Sequence, residues 1–190
     1  MLKEFAKGHR SIVYISRRNI VKTEKPSSKA INRINNEAHW LSILNEHNIG
    51  PKLIKKDSGS ITIKFVKGSR ITEWLKTNSK KNIKNVLIKI LNQCRTLDKL
   101  HVNKYELTNP YKHIIINKTN PVMIDFERCR YSVNPKNLTQ FCQFITSLKI
   151  SKVLESKGII LNKEKLKLLL RMYKHEQNDK IFDKIIRLLH

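Results

Sequence analysis

The prevailing hydrophobic period changes at Lys67-Gly68, from mainly β to mainly helical, and that change limits the fold more than any other feature. Before it, short β-branched apolar runs alternate with turn residues. Residues 11–16 (SIVYIS), 19–23 (NIVKT), 52–56 and 60–66 are predicted as strands. Arg17-Arg18 and Asp57-Ser58-Gly59 supply polar turns, the second suited to a hairpin. One helix interrupts this section: Ser27 or Ser28 can cap residues 29–46, where Ile31, Ile34, Ala38, Leu41 and Leu44 recur at helical spacing, and Asn48-Ile49-Gly50-Pro51 stops it.

After Gly68 the helical period dominates. Helices are expected over 72–76, 83–100, 135–148, 151–156, 163–175 and 179–189, the second with Val86, Leu87, Ile90, Leu91, Leu97 and Leu100 facing inward. Two tiny strands, 113–116 and 122–124, flank the turn 117–121, and 105–111 reads as loop because of Asn109-Pro110. The expectation is an α+β chain: one domain of 1–190, with a β-rich lobe over 1–66 and a short helical lobe over 67–190.

Composition narrows the function classes. The 190 residues carry 39 Lys plus Arg against 15 Asp plus Glu, a net charge of +24. Such a surface favours polyanions and invites an RNA or ribonucleoprotein partner. The abundance of Lys, Asn and Ile is equally what an A/T-rich coding sequence produces. The charge is spread rather than blocked: residues 1–66 hold 13 basic and 5 acidic side chains, residues 67–190 hold 26 and 10. The apolar runs are too short for a membrane span, which needs roughly 20 residues, and Met1 to Phe5 does not resemble a signal peptide. Cys94, Cys129 and Cys142 form neither a CxxC nor an even-numbered framework. A cytoplasmic protein without membrane partners is therefore expected.

Acids are scarce enough to be informative. Between Leu100 and Ile150 there are three, Glu106, Asp125 and Glu127. Two of them close the apolar strand Val122-Met123-Ile124 in the run Asp125-Phe126-Glu127. A carboxylate at a strand end is a hard oxygen donor of the kind magnesium takes; it is also a common turn cap. Lys22 lies in the strand Ile20-Val21-Lys22, and Glu37 follows fifteen residues on in Asn36-Glu37-Ala38, on the inward side of the expected helix.

This order of a β-hairpin, strand lysine, helix glutamate, two strands, Gly, helices, loop, β-pair and Asp-Phe resembles the protein-kinase-like fold over roughly residues 7–145. It is similar to the small atypical archaeal and RIO-type kinases and to the kinase of the tRNA threonylcarbamoyl complex. Among these it resembles the predicted archaeal serine/threonine kinases whose catalytic loop carries an Asn-Pro or Arg-Pro, Lys-His pattern. The resemblance implies ATP and Mg²⁺ as cofactors. It places Gly8, Ser11 and Tyr14 in the loop over the phosphates, Lys22 on the phosphates, and Glu37 on Lys22. In Lys64-Phe65-Val66-Lys67-Gly68 it places Phe65 and Val66 at adenine, with Ile12, Ile20 and Ile124 as apolar walls that could equally be core. Asp125 becomes the magnesium ligand, with Asn109 as a further candidate.

The catalytic loop departs from the common pattern. In Lys104-Tyr105-Glu106-Leu107-Thr108-Asn109-Pro110-Tyr111-Lys112-His113, Glu106 takes the position of the catalytic Asp and Lys112 is placed to neutralise transferred charge. His113 falls where a metal-binding Asn is usual, and serves phosphate, the loop or Asp125, or is simply a structural histidine. Glu127 and Pro135 are only eight positions apart, which leaves no room for a long regulatory segment. Two readings result: an atypical serine/threonine protein kinase, acting on an unknown protein or on itself or hydrolysing ATP, and a pseudokinase or ATP-switched binding module that docks on RNA or a ribonucleoprotein. A small-molecule phosphotransferase for cationic substrates fits poorly, because few acids are available to line its pocket.

Overall fold

The computed structural model describes residues 3–7, 11–16, 18–25 and 32–189. Contacts divide the chain into two compact units, one of residues 1–67 and 122–129, the other of 68–121 and 130–190.

The first unit is built on a five-stranded antiparallel sheet with one helix. Strands β1 (Lys3–Lys7), β2 (Ser11–Ser16) and β3 (Asn19–Glu24) are followed by helix α1 (Arg33–Leu44), a 3₁₀ turn (Asn45–His47), and strands β4 (Leu53–Asp57) and β5 (Ser60–Lys64). Their order is β1-β2-β3-β5-β4. Lys22 lies opposite Val13 on β2 and Ile61 on β5, so it occupies the middle strand. The β4–β5 turn needs a left-handed residue and has one in Gly59 (φ +72°).

Helix α1 buries Ile34, Glu37, Ala38, Leu41 and Leu44 on one face. It begins at Arg33, later than the capping pattern predicts, because the end of β3 reaches it: the Glu24 carboxylate accepts from Arg33 N (2.9 Å) and Ile34 N (3.4 Å). A carboxylate there satisfies orphan amides and suits the helix dipole. The expected caps Ser27 and Ser28, with Ile31, lie outside the described residues. At the other end the Asn45 side chain bonds Ile49 O, Pro51 O and Leu53 N, stitching the helix to β4. Gly50 (φ +83°) is required there, since a Cβ would sit 2.8 Å from Leu41 and 2.9 Å from Phe126.

The second unit opens with β6 (Ser69–Arg70), α2 (Ile71–Thr77), the long α3 (Lys80–Lys99) and β7 (Val102–Asn103). Two 3₁₀ turns, Tyr105–Thr108 and Pro110–Lys112, replace the expected loop. Then come β8 (Ile114–Asn117), β9 (Asn120–Met123), whose last two residues already belong to the first unit, and β10 (Arg130–Tyr131). The chain ends with α4 (Asn137–Thr146), α5 (Leu148–Ser156), α6 (Lys163–His175) and α7 (Asp179–Arg187). Strand β6 pairs with β8, and β7 with β10, both antiparallel. Side chains of Ser79, Asn162 and Asn178 cap α3, α6 and α7.

The α3 face of Val86, Leu87, Ile90, Leu91 and Leu97 is buried as its spacing predicts, whereas Leu100, the C-cap just after the helix, stays partly exposed. A buried polar knot joins α3, α4 and α6. Asp98 accepts from Asn137 N (3.0 Å), Asn137 Nδ2 (2.7 Å), Leu138 N (3.3 Å) and the Tyr173 hydroxyl (3.0 Å). Arg95 donates to the same hydroxyl (3.0 Å) and to Asp179 (3.2 Å). Burial pushes the Asp98 carboxyl up against the pull of these bonds, and pushes the Tyr173 phenol up as well, helped by Asp98. Among the described residues no helix is long and apolar enough to cross a membrane.

Candidate functional site

The middle strand and the buried face of α1 bring Lys22 and Glu37 together. Lys22 Nζ donates to both oxygens of Glu37 at 2.8 Å. Glu37 sits one turn beyond Ile34 on the core face, so the stripe that buries the helix also buries this carboxylate. An isolated carboxylate there would cost several kcal/mol; the ammonium offsets that cost. Glu37 Oε1 also accepts from Phe126 N at 3.4 Å, tying the 122–129 segment to the same point.

That segment presents Asp125. Its Oδ1 is 3.7 Å from Lys22 Nζ, and the side chain is 37% exposed, open enough to meet a ligand. The residue sits at φ +67°, in the left-handed region that Asp tolerates better than most residues. Its neighbours hold it in that conformation: the Phe126 ring is fully buried, Trp40 Nε1 and Asn36 Nδ2 donate to Cys129 O (2.8 and 3.1 Å), and Asn36 Nδ2 also reaches Glu127 O (2.9 Å). Glu127 is bound by Arg33 at 2.8 Å, so the third residue of Asp-Phe-Glu serves as an ion-pair partner for the start of α1. Burial pulls the Lys22 pKa down, but the charges of Glu37 and then Asp125 outweigh it, and the net displacement is upward. Lys22 is therefore a fixed ammonium at neutral pH.

Other residues singled out in the first unit fall at varied places. Ser11 opens β2 opposite Glu24, Ile20 is buried, and Ile12 and Ile124 are half-buried. Gly8 lies outside the described residues. Phe65 N donates to Arg18 O at 2.9 Å, so this amide is committed within the unit, and its ring meets Phe5 edge-on. At this position a ligand would find the carbonyl of Phe65 and the half-buried Val66, not the Phe65 N–H.

In the second unit, Glu106 lies in the first 3₁₀ turn and is approached at 3.3 Å by Nζ of Lys104, a lysine with no exposed side-chain surface. Lys104 is placed by its own backbone, whose N–H donates to Asn137 Oδ1 (2.8 Å), while Asn103 Oδ1 accepts from Lys136 N (2.8 Å). The loop before Glu106 is thus pinned to the start of α4. Asn109 separates the two 3₁₀ turns, Lys112 ends the second, and His113 follows as its C-cap. Sequence reasoning did not single out Lys104, Arg33 or the Asp98 knot. A buried lysine has no distinguishing mark among 39 basic residues, and Asp98 shows only as a polar residue on an otherwise apolar face.

Neither a protein-family model nor a curated protein sequence matches the chain. Among solved structures it is similar to the autoinhibited serine kinase domain of the giant muscle protein titin, with a TM-score of 0.56 and 16% identity over 69% of this chain. It spans 46% of that chain, less than half its length. The fold is protein-kinase-like, in a mixed α+β form.

Proposed function

We propose that the chain is an atypical, ATP- and Mg²⁺-dependent serine/threonine protein kinase, of the small archaeal and RIO-like kind, whose target is a protein hydroxyl or its own. One observation carries this reading: Lys22 is held by both oxygens of buried Glu37 while it stands 3.7 Å from the partly exposed Asp125. An oriented, permanently charged ammonium suits a phosphate oxygen, and a neighbouring accessible carboxylate is the hard donor that magnesium accepts, usually one or two per site with phosphates and water completing the shell. The residues present fit both groups.

In this reading Lys22 binds and orients the phosphates, and Glu37 keeps the ammonium in place. Asp125 holds the metal, with Asn109 as a further candidate. When bound, magnesium would supply charge neutralisation on the phosphate oxygens. Glu106 receives the proton of the acceptor hydroxyl, and Lys112 offsets negative charge at the transferred group. His113, Ser11, Gly8, Phe65 and Val66 are assigned to nucleotide contacts. The three unbridged cysteines, all buried, suit a reducing compartment, and the cytoplasm is the proposed location.

A second reading, nucleotide binding without turnover, is favoured by the Lys104–Glu106 contact at 3.3 Å, because it engages a carboxylate oxygen that an acceptor hydroxyl would need. Labelled ATP with magnesium, given to the wild type and to Asp125→Ala, separates the two. Label on protein or free phosphate from the wild type alone supports the kinase. ATP binding without either product supports the second reading, and no ATP binding overturns both.

A further inference from the structure

The second unit contains a groove of about 410 Å³ with no place in the kinase reading. One wall is α4, through Thr139, Gln143 and Thr146; the other is α6, through Lys163, Lys167, Arg171 and Lys174. The four cations fall at intervals of four, four and three residues, on one face of a single helix. All four are exposed. Lys163 donates to Ser151 Oγ at 3.2 Å, and among the described residues none of the four has a carboxylate within ion-pair distance. Glu164 is the one acid in the lining. Unneutralised cations in a concave site raise the local potential more than the same charges on a convex surface. The N-terminal end of α6, at Lys163, adds the positive pole of a 13-residue helix.

We propose that this groove binds the sugar–phosphate backbone of an RNA strand. The cation row runs from residue 163 to 174, about 16 Å at 1.5 Å per residue, roughly the axial length of five phosphates at 3.4 Å per strand step. The lining contains no aromatic ring, so base stacking contributes nothing and recognition falls on phosphate and sugar. The apolar lining, Leu166 and Leu170, offers no deep anchor pocket of the kind that docks a peptide. The α4 wall distinguishes RNA from DNA. Thr146 Oγ1 donates to Cys142 O at 2.8 Å, which leaves its oxygen as an acceptor. Phosphates carry no donor, whereas the ribose 2′-hydroxyl does.

The test uses the full chain and the fluorescence anisotropy of a labelled 20-nucleotide RNA, the DNA of identical sequence, and a polyglutamate peptide as competitor. Lys167→Glu with Arg171→Glu is expected to weaken RNA binding at least about tenfold and to lower the salt slope by about two. An equal charge change on α7, Lys180→Glu with Lys184→Glu, is expected to cost less than about threefold. Thr146→Val is expected to bring RNA affinity down to that for DNA. Circular dichroism melting confirms that the variants fold. Equal losses from the α6 and α7 pairs would overturn the groove, since net charge alone would then explain binding. DNA binding as tight as RNA by the wild type would overturn the RNA assignment, as would displacement of RNA by polyglutamate at matched charge. These outcomes do not depend on ATP, so they stand or fall apart from the kinase reading.

Discussion

In the first unit the Lys22–Glu37 pair buries its carboxylate: Glu37 is 1% exposed, while Lys22 keeps 16%. In the second unit the Lys104–Glu106 pair is built the other way, with the ammonium fully buried and the carboxylate 11% exposed. Taking either ion out of water costs several kcal/mol, so the more buried member depends on its partner for compensation. The less buried member is a cation in the first unit and an anion in the second. In the proposed reading the cation serves phosphate and the anion a hydroxyl proton.

Removing the outward anion has the largest expected effect. Under the proposed chemistry, Glu106→Gln lowers phosphorylation by about 10²–10⁴-fold with ATP affinity nearly unchanged, as measured by steady-state kinetics beside calorimetry. Unchanged turnover would remove Glu106 from the reaction and break the comparison on that side. Next comes Lys22→Met, which strands Glu37 as an uncompensated buried charge and costs about 3–5 kcal/mol in urea unfolding, together with loss of ATP binding. Lys22→Arg should recover stability better than ATP affinity, because a planar guanidinium does not present a point charge in the same place.

A double-mutant cycle on Lys104→Met and Glu106→Gln should give a coupling of about 0.5–3 kcal/mol, the range for residues in one ion-pair network. A coupling near zero would mean that the second pair is proximity without interaction. Arg33→Ala, which removes the 2.8 Å contact to the half-buried Glu127, is expected to cost about 1 kcal/mol or less.

The smallest effect is expected from pH. The Lys22 pKa is displaced upward from its ordinary 10.5. Its contribution to stability is therefore fully present below pH 10.5 and disappears as pH climbs through the raised folded-state value. The difference in stability between wild type and Lys22→Arg, both of which keep a cation beside Glu37, should stay constant between about pH 6 and 9. A difference that shrinks within that window would show that Lys22 loses its proton there, against the arrangement around Glu37.

How much of this was legible depends on the size of each element. The strands from Ser11 to Lys64 and the long helix α3 carry several apolar residues each, so their period shows in the sequence. Strands β6, β7 and β10 are two residues long, too short for any alternation; they exist because longer elements bring them together. Strand β1 is exposed along Lys3 to Ala6, so it lacks the buried face that marks a strand.

By itself the sequence determined the α+β order, the core faces of α1 and α3, and the place of Glu37 on the inward face of α1; its pairing with Lys22 was what the resemblance implied. Only the tertiary structure decided that Lys104 is the buried member of the second pair, since it stands between a two-residue strand and a 3₁₀ turn and on no periodic face. Polarity of that kind depends on neighbours far apart in the chain: Phe126 donates to Glu37 from 89 residues away, and Asn137 fixes Lys104 from 33. Outside a periodic element, burial is a property of packed surroundings, and no local pattern of residues encodes it.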